Sequence, residues 1–290
     1  MNSILKKIRQ SDAFNKENRN SYTKAVLLMS LFTFTFLGAE FLFVDMMSRI
    51  VSGDRSVSAQ NYALGISVIG FVLYPLFCRV CKGRVQSAIT FGAAILSAAC
   101  LFLICRYSTY TLTMCMGLLL FLLLGAFGSA VFCRSLRLLE DDTYLARLVG
   151  VSYMLGILLQ IANNNLIHTA IFEAGILSAF ILLLAVTLIR AENNSIVPAR
   201  PKGKTNEDTG ESGKSSLKIA VVLILFVALL TCIFSTLDNA VTLYHANGAV
   251  DIGQWPRILL ALSGLFAGSL FDMAGRKYMR MVMYCVMILS

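Results

Sequence analysis

Long apolar runs separated by short polar segments dominate the pattern along this chain of 290 residues. A helix that crosses a hydrocarbon core of roughly 30 Å needs about 20 predominantly apolar residues. Eight runs approach that length and predict eight membrane-spanning helices: Ala25–Met46, Asn61–Cys78, Ser87–Cys105, Thr111–Phe132, Leu148–Leu166, His168–Ile189, Ile219–Leu237 and Trp255–Phe271. A ninth run begins at Met279 and is too short to span a bilayer before Ser290.

The apolar runs lack the alternation of polar and apolar positions that a membrane β-barrel needs. Composition agrees with this pattern, since 57% of the residues are hydrophobic and only 14% are charged. Soluble domains have about 45–50% apolar and about 25% charged residues. The sequence therefore predicts an all-α integral membrane protein.

Lysines and arginines are distributed unequally between the two sides of the predicted spans. With the N-terminus in the cytoplasm, 21 of the 25 basic residues fall in inner segments. By the positive-inside rule this predicts a multi-pass plasma-membrane protein with a cytoplasmic N-terminus. The net charge of +9 then arises from the basic cytoplasmic face, which is expected to contact the anionic headgroups of the lipid bilayer. No nucleic-acid partner is expected.

A polar segment divides the predicted spans into two groups. Residues 191–217 are rich in Gly, Ser, Lys and Glu and are typical of a flexible cytoplasmic linker. The predicted domains are a cytoplasmic tail (1–24), a six-helix bundle (25–190), this linker, and a partial second bundle (218–290).

The second group of spans repeats positions of the first. Asp45 and Asp238 each end a span on the outer side and lie 193 residues apart. Two six-helix halves joined by a basic linker are a common plan of secondary transporters. On this plan roughly 93 further residues complete the second half. The chain is therefore expected to be a fragment, completed by missing C-terminal helices or by a partner chain.

The turn after the eighth span reads Gly268-Ser-Leu-Phe-Asp272-Met-Ala-Gly275-Arg276-Lys277. It resembles the G-x-x-x-D-x-x-G-R-K signature that the major facilitator superfamily carries after helix 2 and again after helix 8. The resemblance implies a major-facilitator-type helical bundle, transport of a small solute by alternating access, and no cofactor. It also implies a gating motif formed by Gly268, Asp272, Gly275, Arg276 and Lys277.

Other positions depart from the family pattern. The first copy of the motif keeps Gly83 and Arg84 but lacks the aspartate and the first glycine. The fifth span has no Gly-Pro motif, so a proton/drug antiporter is not implied. If the family's latch is retained, Asp272 meets the start of the fifth span near Arg147.

Glu40 is the main candidate for ion coupling, because an ionisable residue inside a membrane is costly and commonly functional. Thr33 lies seven residues earlier, so both side chains share one helix face that lines the predicted cavity. The alternative is a structural pairing of Glu40 with Arg49, Arg106 or Arg257 at the outer end. For Asp45, at the water interface, the structural role is favoured.

A second polar group lies where the fifth and sixth spans meet. Three consecutive asparagines point in directions about 100° apart, so at most two of them face a cavity. Gln160 and Asn164 are four residues apart and share a face, and Glu173 opens the sixth span. These three residues are candidate solute or proton ligands, or else they join helices by hydrogen bonds.

Two apparent motifs carry no chemistry. Asp208 replaces the first glycine of a phosphate-binding loop at Lys214, and no strand precedes it. Cys78 and Cys81 lack a second ligand pair, so no metal site is expected. The sequence thus predicts a transporter and not an enzyme; the alternative is a non-transporting membrane sensor that uses the same bundle to control a partner.

Overall fold

The computed structural model describes residues 16–81, 83–139, 145–167, 169–193 and 255–271. This part of the chain is almost entirely helical and contains no strand, so the all-helical prediction is confirmed for it. The helices are α1 (Lys16–Ser48), α2 (Gly53–Val80), α3 (Arg84–Arg106), α4 (Tyr110–Leu138), α5 (Leu145–Leu166), α6 (Ala170–Asn193) and α7 (Trp255–Phe271).

Helices α1 to α6 are each long and apolar enough to cross a membrane. They coincide with the first six predicted spans, and a multi-pass membrane protein is the class that such helices form. Helix α7 has the bounds predicted for the eighth span. The predicted seventh span, Ile219–Leu237, and the run from Met279 lie outside the described residues.

Several helices extend beyond the apolar runs that predicted them. Helix α1 begins at Lys16, so residues 16–24 are helical, although the sequence assigned them to a tail. Helix α4 continues to Leu138 and carries Arg137 in its last turn. An apolar run marks only the part of a helix that lies in hydrocarbon, whereas the backbone hydrogen bonds of the helix can continue into the membrane–water interface. A basic last turn also stabilises the negative end of the helix dipole.

Helix α1 occupies the centre of the described bundle and contacts α2, α4, α5 and α6. Helix α2 packs mainly on α4, α3 packs on α4 and α6, and α7 packs on α5. The largest fully buried side chains line these contacts: Phe43, Phe121, Leu42, Met47, Leu101, Ile104, Leu120, Leu124, Leu148, Leu177, Ile181 and Leu184.

Glycines let the backbones of α2 and α4 approach closely. A Cβ atom at Gly125 would collide with the backbone carbonyl of Ser67, and one at Gly70 would collide with that of Leu122. Small residues at such crossings allow close packing where no hydrophobic effect drives helices together. Gly125 and Gly70 thus allow the close packing of α2 on α4.

The outward faces of the bundle are apolar. On α2, Val68, Val72 and Leu76 each expose half or more of their surface. A soluble protein rarely exposes contiguous apolar surface on this scale, whereas lipid tails cover it at no cost. These faces agree with helices that are embedded in a bilayer.

A glycine with a left-handed backbone joins α2 to α3. Gly83 has φ +62° and caps the N-terminus of α3. Residues with a Cβ rarely adopt this conformation, so glycine is the natural residue for the turn. This glycine is the one that the first, incomplete copy of the motif retains.

Candidate functional site

Glu40 is hydrogen-bonded between α1 and α2. Its Oε1 accepts a hydrogen bond from Gln60 Nε2 at 2.7 Å, and its side chain is half-buried. Sequence reasoning missed Gln60, because the residue lies 20 positions away and no local pattern links the two. The amide of Gln60 donates this hydrogen bond and brings no charge of its own.

Asp45 forms an ion pair on the surface of α1. Its Oδ2 lies 2.7 Å from Arg49 Nη2, one turn later, and both side chains are at least half exposed. One proposed partner of Glu40, Arg49, is therefore engaged by Asp45. This geometry agrees with the structural role favoured for Asp45, because exposed pairs of this kind contribute little energy.

The second polar group forms a hydrogen-bonded cluster at the junction of α5 and α6. Gln160 Nε2 donates to Asn164 Oδ1 at 2.9 Å, so these two residues do share a face. Asn163 Nδ2 donates to Glu173 Oε1 at 3.2 Å, and Gln160 interacts with the same carboxyl. We call Gln160, Asn163, Asn164 and Glu173 the α5–α6 cluster.

The three consecutive asparagines have different exposures, as their angular spacing requires. Asn163 is buried, Asn164 is half-buried and Asn165 is exposed. Sequence reasoning chose Asn164 for its spacing from Gln160 and missed Asn163, which is bonded to Glu173. The three-residue spacing between Gln160 and Asn163 is also helical and could have revealed the second residue.

Gln160 is almost completely buried, with 2% of its surface exposed. No donor among the described residues reaches its Oε1 atom. This oxygen faces α1, where a Cβ at Gly38 would lie 2.9 Å from it and would also meet Leu177. A buried acceptor without a donor is costly, so the cluster offers a hydrogen-bonding position inside the bundle.

Thr33 lies where α1 crosses α5, apart from the α5–α6 cluster. Its hydroxyl donates to the Met29 carbonyl at 2.9 Å, within its own helix. Its side-chain carbons pack so closely on Gly156 that a Cβ there would lie 2.6 Å from them. Described contacts therefore join Thr33 to α5, while Glu40 bonds to α2.

Helix α7 meets α5 at glycines, near the position predicted for the latch. A Cβ at Gly150 would collide with the Gly264 carbonyl, and one at Gly268 would lie 3.2 Å from Arg147 Cα. Gly264 and Gly268 thus allow a close approach of α7 to α5. The pairing of Asp272 with Arg147 stays a prediction, since Asp272, Gly275, Arg276 and Lys277 lie outside the described residues.

Among the described residues, no group of three histidine, cysteine, aspartate or glutamate side chains could hold a metal ion. Cys78 and Cys81 are free thiols, and Cys78 Sγ lies 3.5 Å from Gln86 Nε2. Neither of the two histidines, His168 and His245, lies among the described residues.

Comparison with protein-family models, with curated proteins and with solved structures gives no match. A functional conclusion for this chain must therefore come from its own residues. The class that the described fold defines is a helical membrane bundle with a polar cluster among its buried side chains.

Proposed function

We propose that this chain is a secondary transporter of the major-facilitator type, which moves a small solute across the plasma membrane by alternating access. The α5–α6 cluster is the observation that carries the proposal. Three amides and a carboxyl lie together in helices that are mostly apolar, with Gln160 and Asn163 buried. Polar groups at membrane depth are costly, and they commonly mark solute and ion pathways.

The chemistry of the cluster favours a small polar solute. Gln160 Oε1 can accept a hydrogen bond, and Glu173 adds a carboxyl beside it. Amide groups offer both donors and acceptors, so they bind hydroxyl, amine or amide groups without demanding one charge. In this proposal the solute donates a hydrogen bond to Gln160 Oε1, which accepts none from the described residues.

The α5–α7 contact supports a moving interface. Gly150, Gly264 and Gly268 bring the two backbones close together, and the Tyr153 side chain of α5 packs against Gly264. Small residues at a helix crossing leave few side chains to repack when the helices rock. The latch motif that begins at Gly268 follows directly, so the proposed gate and this seam are continuous in sequence.

Glu40 is proposed as the proton-coupling group. It is half-buried, it lies on the central helix, and one of its partners is the amide of Gln60. Ionisable residues inside a membrane commonly belong to proton relays. The alternative within the same proposal is facilitated diffusion, in which Glu40 has no coupling role.

Transport by the purified full chain in liposomes tests the proposal. Radiolabelled glucose, lysine, glutamate, uridine and lactate sample the main classes of small polar solute, with and without a pH gradient. We expect uptake of one class, and its loss in the variant Glu173→Gln. Cys115→Ser, at an exposed position of α4, is the matched control and retains uptake. A folded chain that takes up none of these solutes would favour the sensor instead.

A further inference from the structure

The hydrogen bonds within the α5–α6 cluster fix the orientation of the Gln160 amide. Asn163 Nδ2 donates to Glu173 Oε1 at 3.2 Å, and Gln160 donates to the same carboxyl. A carboxylate accepts hydrogen bonds and donates none, so the NH2 group of Gln160 has to face it. Gln160 Nε2 also donates to Asn164 Oδ1 at 2.9 Å, which uses its second hydrogen. The oxygen of the same amide, Gln160 Oε1, therefore points away from both partners.

Gln160 Oε1 is a buried acceptor in crowded surroundings. Gln160 exposes 2% of its surface, and its Oε1 accepts no hydrogen bond from the described residues. The nearest position on α1 is Gly38, where a Cβ would meet both this oxygen and the end of the Leu177 side chain. A buried acceptor gains from a donor, and only a compact donor group can reach this one.

The charge of Glu173 has no counter-ion in the part of the chain that the structure describes. Glu173 forms no ion pair with a described residue, whereas Asp45, the nearby carboxyl whose charge acts on it, is paired with Arg49. The charges of Asp45 and Arg49 cancel, so one negative charge remains at the junction of α5 and α6. An ionised group within a membrane bundle is costly unless an opposite charge accompanies it.

We propose that the solute bound by the α5–α6 cluster is a small cation that carries a primary ammonium group. This inference rests on the proposed function, because it takes the cluster as the solute site and names the class of solute. The ammonium pairs with Glu173 and donates one N–H to Gln160 Oε1.

One nitrogen can reach both acceptors. Ordinary bond lengths place the nitrogen and oxygen of an amide about 2.2 Å apart, and the nitrogen of Gln160 already contacts the Glu173 carboxyl. A quaternary ammonium lacks the N–H that Gln160 Oε1 requires, and a hydroxyl lacks the charge that Glu173 requires. The cluster should therefore distinguish a primary ammonium from both.

Ligand-induced stabilisation of the purified full chain in detergent tests this inference. Ethanolamine, choline, ethylene glycol and glycolate share a two-carbon skeleton and present a primary ammonium, a quaternary ammonium, a neutral group and an anion. The shift of the unfolding midpoint is followed to about 100 mM, because so small a molecule binds weakly even in a well-matched site. We expect ethanolamine to bind at least about tenfold more tightly than the other three, as one hydrogen bond to a charged group provides.

Three variants assign this binding to the cluster. Glu173→Gln removes the charge but keeps an acceptor for Asn163, and it should weaken ethanolamine binding at least about tenfold. Glu173→Asp keeps the charge on a shorter side chain and should retain more of the affinity than Glu173→Gln. The matched control is D45N/R49Q, which removes an exposed ion pair of zero net charge and should keep the affinity within about twofold.

The outcomes separate this inference from the proposed transport. Binding of ethanolamine without uptake in liposomes would support the inference and favour the sensor. Uptake of a neutral or anionic solute without selective ethanolamine binding would leave the transporter in place and overturn the inference.

Three further results would overturn it. Equal affinity for choline would show that Gln160 Oε1 takes no part, and unchanged affinity in Glu173→Gln would place the site elsewhere. Equal affinity for ethylene glycol would show that Glu173 is neutralised within the chain. His168, which lies outside the described residues, is the internal candidate for that role.

Discussion

Two carboxyls of the described helices, Glu40 on α1 and Glu173 in the first turn of α6, are held in contrasting surroundings. Glu40 accepts from Gln60 near the start of α2, a helix whose outer surface is largely exposed. Glu173 accepts from the buried Asn163 and lies beside the nearly inaccessible Gln160. If the proposed transport function holds, this contrast predicts a division of work, with solute bound at α5–α6 and the proton handled between α1 and α2.

Gly38→Val is expected to produce the largest loss of stability, because its added side chain is forced into the buried packing around the α5–α6 cluster. The added side chain meets Leu177 and Gln160 Oε1. Overpacking of this kind costs about 1–3 kcal/mol. Unfolding in mixed detergent micelles measures the change.

Gly175→Ala is the matched control for this substitution. A Cβ at Gly175, on α6, meets no atom within 4 Å. Alanine there should leave the free energy of unfolding unchanged or raise it by up to about 1 kcal/mol. Equal losses in the two variants would contradict the packing described around Gly38.

Gln160→Met separates binding from stability. It removes a buried oxygen that lacks a donor among the described residues, and it keeps the length of the side chain. Methionine also removes the Nε2 donor to Asn164 Oδ1, which offsets this gain, so the free energy of unfolding should change by no more than about 1 kcal/mol while solute uptake falls. A loss above about 1 kcal/mol would mean that Gln160 is held for structure.

The paired variants Glu40→Gln and Glu173→Gln test the division of work directly. Each glutamine keeps an oxygen that can accept from Gln60 or Asn163, so unfolding should change by only about 0.6 kcal/mol. Glu40→Gln should retain solute exchange and lose its response to a pH gradient, whereas Glu173→Gln should lose both. If the pH response survives in Glu40→Gln, Glu40 has no coupling role.

Asp45→Asn should have the smallest effect. The ion pair with Arg49 is exposed, and such pairs contribute about 0.3–0.5 kcal/mol within a helix. Stability and uptake should both stay close to wild type. A marked loss of uptake would show that Asp45, at the end of α1, takes part in transport and is not only structural.

The length of the apolar runs was sufficient to predict α1 to α6, because hydrocarbon imposes one length and one backbone structure on a span. Helical spacing also placed Gln160 and Asn164 on one face, since that relation is local to α5. It could not predict that Gln60 bonds to Glu40 or that Gly38 faces Gln160. Such contacts depend on how separate helices cross, which no spacing within one helix records.

Solvent access to the α5–α6 cluster tests the central claim most directly. In a chain whose eight native cysteines are replaced, Asn164→Cys is treated with a membrane-impermeant maleimide in right-side-out and inside-out vesicles. Leu158→Cys, on the exposed apolar face of α5, is the control that should stay unlabelled. Alternating access predicts labelling of Asn164→Cys from both sides, and protection by the transported solute. Labelling from neither side would contradict the account and leave the cluster as a structural contact between helices.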